Sequence, residues 1–143
     1  MYNNLTDLVV TSLFKGSKLF NKIHNLLIVM QKTIHTTRPE IIPVIKEYID
    51  TIYQKYNNII VDVILYGSVA RGEDKKDSDI DLLVVGTSDD WKFERELIDI
   101  AYDIGLMHGV YLSIKYISQN EFLAYQSFSF FKNIQEEGIS IVS

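Results

Sequence analysis

V-I-L-Y-G-S-V-A-R-G-E-D-K-K-D-S-D-I-D-L-L-V-V-G, from Val63 to Gly86, decides the reading of this chain. Two apolar runs flank a polar loop. The first run ends at Gly67-Ser68, and ten residues then separate Ser68 from Asp79, which opens Asp79-Ile80-Asp81 and leads into Leu82-Leu83-Val84-Val85. Runs of this length, rich in β-branched residues and ended by glycine, read as buried strands. Side chains two apart on a strand share a face, so Asp79 and Asp81 stand together while Ile80 and Leu82 point the other way into a core. Adjacent carboxylates repel unless a cation lies between them, and hard Mg²⁺ suits such a pair of oxygen ligands. Gly67-Ser68 lets a ligand approach backbone N–H groups closely. A helix beginning at Val69-Ala70-Arg71 would add positive partial charge where a triphosphate could sit, with Arg71 bridging its oxygens.

Moving outward, Arg38-Pro39 opens a helix, because a first-turn proline forfeits only an N–H that has no helical partner. Ile41, Ile45, Tyr48, Ile49, Ile52 and Tyr56 recur at helical spacing, and Asn57-Asn58 ends them before a strand over Ile59–Tyr66. Beyond Gly86, the N-cap candidates Thr87, Ser88 and Asp89 precede a long helix to about Met107 with the stripe Phe93, Leu97, Ile100, Ala101 and Ile104, closed by Gly109. A third strand follows over Val110–Ile117. Ser118-Gln119-Asn120-Glu121 is a capping box opening a short helix with Phe122, Leu123 and Tyr125. A last helix from Phe128 ends at Gly138, with Ile139–Val142 as an edge strand or tail. The sum is an α/β (α+β) domain: a small mixed β-sheet flanked by helices, over residues 36–143. Residues 1–35 are expected to form a helical extension, with the stripe Leu19, Phe20, Ile23, Leu26, Leu27 and Met30.

At 143 residues the chain suits one domain with a substantial core. Its net charge of -5 argues against holding nucleic acid by bulk charge, which needs clustered cations. The absence of cysteine excludes disulfides, thiolate metal sites and cysteine nucleophiles. His24, His35 and His108 lack ligand spacing, which disfavours zinc. No run approaches the ~20 apolar residues of a membrane span, and no secretory leader follows Met1, so a cytoplasmic protein is expected.

G-S-V-A-R-G, with ten residues from Ser68 to D-I-D-L-L-V, resembles the minimal nucleotidyltransferases of the DNA polymerase β superfamily from about Pro39 to Ile117. The resemblance implies Gly67 and Ser68 as nucleoside triphosphate contacts, Asp79 and Asp81 as Mg²⁺ ligands and catalytic residues, and Arg71 as a lesser nucleotide contact. The implied reaction moves a nucleoside monophosphate, AMP from ATP, to a hydroxyl, with the ions clamping the attacking and leaving oxygens. The segment Phe131–Ile139 is similar to the C-terminal segment of small stand-alone members, which are often paired with a HEPN-type ribonuclease toxin.

The pattern departs from the family on the third strand. A third carboxylate that would activate the acceptor hydroxyl is implied there, yet Val110–Ile117 holds no Asp or Glu, and Ser113 stands in its place. Asp99 and Asp103 on the preceding helix are the alternative sources. Two readings therefore stand: a Mg²⁺-dependent nucleotidyltransferase, or a catalytically impaired module of the same fold that neutralises a partner by contact.

Overall fold

The computed structural model describes residues 34–141, so the stripe between Leu19 and Met30 and the extension over residues 1–33 lie outside the described residues. A 3-10 turn, Pro39–Ile41, runs into α1 (Ile42–Tyr56); then follow β1 (Ile60–Tyr66), α2 (Gly67–Arg71), β2 (Ile80–Gly86), α3 (Trp91–His108), β3 (Leu112–Ser118), α4 (Gln119–Ala124), α5 (Ser129–Glu137) and β4 (Ile139–Ser140). The sheet is mixed, with the order β3-β2-β1-β4: β1 is antiparallel to β2 and to β4, whereas β2 and β3 run parallel. The parallel pair requires a crossover, and α3 supplies it.

Alternation along the strands divides the sheet into two unlike faces. Val63, Leu65, Ile80, Leu82, Val84 and Leu112 join Ile45, Tyr48, Ile49 and Ile52 of α1 and Phe93, Leu97, Ala101 and Ile104 of α3 in the main core. Each such side chain removed from water contributes about 1.5–3 kcal/mol, so this layer carries most of the stability. Tyr48 is fully buried and donates its hydroxyl to the Leu97 carbonyl at 3.2 Å, joining α1 to α3. Phe93 lies edge-on between Tyr56 and Tyr116, at 4.9 and 5.0 Å. The opposite face holds a smaller cluster, Leu83, Val85, Ile117 and Ile134, with Ile64, Tyr66, Phe122 and Phe131 packed on it, and α5 covers only part of it.

The local signals act as expected, with shifts of a residue or two. Ser118 and Glu121 form the capping box of α4, and Gly109, at φ 67°, closes α3 in the left-handed region. The N-cap of α3 is Asp90, one residue past the expected candidates; its carboxylate accepts from the Lys92 N–H at 2.9 Å. β4 is the edge strand anticipated after Gly138.

One anchor had no local signature. Asp74, in the loop between α2 and β2, is buried and accepts from Thr36 Oγ1 at 2.7 Å, the Thr37 N–H at 3.1 Å and Arg38 Nε at 3.0 Å. Arg38, also buried, donates onward to the carbonyls of Lys76 and Ser78 at 3.0 and 2.8 Å. The charged run that reads as solvated surface is thus pinned to the segment preceding α1, which fixes the approach to Asp79.

Candidate active site

The chemistry-bearing residues collect where β1 ends and β2 and β3 begin. Tyr66 is paired with Asp81 across β1 and β2, and Asp81 with Ser113 across β2 and β3. Tyr66, Asp81 and Ser113 therefore form one row on the thinly covered face. Gly67 follows Tyr66 directly at φ 73°, and a Cβ built on it would lie 2.3 Å from Asp81 Oδ2. Only glycine allows the turn and the carboxylate to approach so closely.

Asp79 precedes β2 and is exposed, whereas Asp81 is half-buried. Burial pushes the Asp81 carboxyl up, the neighbouring charge of Asp79 pushes it further, and a hydrogen bond from Ser113 with the more distant charges of Lys115 and Arg71 opposes the rise. The Tyr66 phenol is pushed up to about 12, by burial first and then by the Asp81 charge. The charged form of Asp81 is therefore disfavoured where it stands. No group of three or more metal-ligating side chains occurs among the described residues. Two carboxylates beside open space nevertheless fit a divalent cation that takes its other ligands from water and substrate phosphates.

α2 is a single turn of five residues beginning at Gly67. It offers unpaired N–H groups rather than the dipole of a long helix. Arg71, at its end, is exposed and is held by Glu73 at 2.9 Å and by Glu137 of α5 at 3.3 Å. The Glu137 contact, from 66 residues away, ties α2 to α5 and bounds a cleft of about 240 Å³ lined by Tyr66, Gly67, Arg71, Phe130, Asn133 and Glu137. Neither Phe130 nor Asn133 was singled out by sequence reasoning. Only the topology, which sends β4 back beside β1, brings α5 over the Gly67 turn.

Asp99 and Asp103 do not supply a further carboxylate. α3 packs on the opposite side of the sheet, through Phe93, Leu97, Ala101 and Ile104, and both aspartates are exposed there. The sheet itself separates them from Asp81.

Comparison with known proteins identifies the family of the chain. The family described as the nucleotidyltransferase domain matches residues 45–140. A Methanocaldococcus jannaschii protein provisionally named a protein adenylyltransferase, MJ0604, is 37% identical over 94 residues, spanning 66% of this chain and 90% of that protein. Similar solved structures include a toxin-antitoxin with AMP-PNP, at TM-score 0.43 and 18% identity over 66% of this chain and 70% of that one. A mutant of the toxin-antitoxin MntA-HpeT gives TM-score 0.44 at 14% identity, with the same coverage of both chains. The chain belongs to the nucleotidyltransferase domain family.

No helix among the described residues is long and apolar enough to cross a membrane.

Proposed function

We propose that this protein transfers AMP from ATP to a hydroxyl of a protein acceptor in the cytoplasm, with Mg²⁺ held by Asp79 and Asp81 and the triphosphate seated at Gly67 and Ser68. The observation that carries the reading is the closeness of the Gly67 turn to the Asp81 carboxylate. A triphosphate seated on the turn would lie beside the Asp81 carboxylate. The provisional name of the 37% identical relative supports adenylyl as the group moved and a protein as its acceptor. When bound, the cation neutralises carboxylates and phosphates and polarises the phosphoryl oxygens. The chain itself orients: Gly67 admits the phosphates, Arg71 exchanges one of its carboxylate partners for a phosphate oxygen, and Ser113 meets the acceptor side of Asp81.

In this reading the partner is a HEPN-type toxin, which the Gly67–Asp81 pattern and the Phe131–Ile139 segment support by resemblance. Incubating the protein with such a toxin, Mg²⁺ and labelled ATP should label the toxin. Asp79→Ala/Asp81→Ala should abolish the label, and no label with wild type would defeat the enzymatic reading.

Ser113 favours a second reading. A hydroxyl is a poor general base, and β3, the strand that brings Ser113 opposite Asp81, holds no Asp, Glu or His. If the protein neutralises by contact alone, Asp79→Ala/Asp81→Ala retains full neutralisation. A folded, partner-bound double variant that no longer neutralises excludes that reading.

A further inference from the structure

We propose that the cleft between α2 and α5 is a nucleobase subsite in which Phe130 stacks on the base and Asn133 hydrogen-bonds to its edge. This rests on the nucleotide-binding part of the reading above. The cleft opens at Gly67, so a nucleotide whose phosphates lie on that turn has its remaining half within reach of α5.

Phe130 is 39% exposed although other rings pack on it. It meets Tyr66 edge-on at 5.7 Å and Phe131 at 5.1 Å, and the Lys115 ammonium lies 6.0 Å from its centroid. These contacts hold the ring, the Lys115 ammonium lying over one of its faces, while Phe130 still lines the cleft and keeps part of its surface exposed. An aromatic ring held in place at the wall of a cleft, with surface still exposed, is what base stacking uses.

Asn133 lies three residues further along α5, one turn away on the same side of the helix. It is exposed, lines the same cleft, and its amide has no hydrogen-bond partner among the described residues. An amide presents a donor beside an acceptor, matching the amino and ring-nitrogen pair on a base edge. Glu137 and Arg71, joined across the rim, bound the cleft on the phosphate side.

The test is calorimetric titration of the full chain, in Mg²⁺, with a non-hydrolysable ATP analogue and separately with inorganic tripolyphosphate, which has no base. Phe130→Ala should weaken the ATP analogue about tenfold, the usual effect of removing one base–aromatic stack, and leave tripolyphosphate within twofold. Asn133→Ala, at an exposed helical position that does not threaten folding, should weaken the analogue about threefold, again without effect on tripolyphosphate. Circular dichroism checks that each variant is folded, and if Phe130→Ala unfolds, Asn133→Ala decides. Unchanged analogue affinity in the folded variants, or an equal loss for both ligands, overturns the subsite. Failure of wild type to bind either ligand instead overturns the nucleotide reading on which it rests.

Discussion

Replacing Gly67 by alanine tests the closeness of turn and carboxylate on which the site depends. Two costs add. A residue with a Cβ at φ 73° sits in the left-handed region, at about 1–2 kcal/mol. The new methyl would also lie 2.3 Å from Asp81 Oδ2, so the carboxylate must withdraw by roughly 1 Å to reach ordinary contact. We expect Gly67→Ala to lose about 2 kcal/mol by urea denaturation and about 6 °C in Tm. A displacement of about 1 Å at a reacting centre costs on the order of 100-fold in rate, so adenylyl transfer should fall by about that factor. A double-mutant cycle separates the two costs. In an Asp81→Ala background the clash is gone, and Gly67→Ala should then cost only the backbone share of about 1 kcal/mol. A variant that keeps stability within 0.5 kcal/mol of wild type and transfer within about threefold would refute the reasoning, as would the same stability loss in both backgrounds.

Other expectations follow from the same geometry. Asp74→Ala strands the buried Arg38 guanidinium and should cost about 3 kcal/mol by urea denaturation; a loss below about 1 kcal/mol would mean that the ion pair is dispensable. Burial alone would raise the Asp74 pKa, but the hydrogen bonds from Thr36, Thr37 and Arg38 outweigh it and hold the carboxyl below the usual range. Its contribution is therefore present above about pH 4, the unfolded carboxylate range, and is lost as pH falls through the lower folded value. A Tm series over pH 2–5 should show wild type losing its advantage over Asp74→Asn across that interval. Ser113→Asp places a third carboxylate beside Asp81 and should raise Mg²⁺-dependent transfer at least about tenfold, while costing up to about 1 kcal/mol without metal from like-charge repulsion; single-turnover rates and melting with and without Mg²⁺ check both. Tyr48→Phe removes the buried bond to the Leu97 carbonyl and should lower stability by about 1 kcal/mol in urea denaturation.

What was legible in the chain depended on how far apart the interacting residues lie. The capping box of Ser118 and Glu121, Pro39 at a helix start and Gly109 at a helix end are written within a few positions, and each appears where expected. The pairing of Ser113 with Asp81 was half-legible. The strand pattern marked both residues, but only the parallel register joins them. Asp74 was illegible because Thr36, Thr37 and Arg38 lie 36 to 38 residues away, and nothing in the run from Glu73 to Asp77 distinguishes its buried member. The hold of Glu137 on Arg71 was hidden for the same reason. The motif drew attention to Gly67, Ser68, Asp79 and Asp81, but the wall that α5 builds beside the Gly67 turn came only with the topology.

The unlike faces of the sheet carry a consequence for descent. Most of the residues that hold the domain together sit on the side of α1 and α3, and Tyr66, Asp81 and Ser113 sit on the other. A lineage can therefore lose or regain a carboxylate at position 113 without endangering the fold. A working transferase and an inert look-alike can stand one substitution apart on the same scaffold.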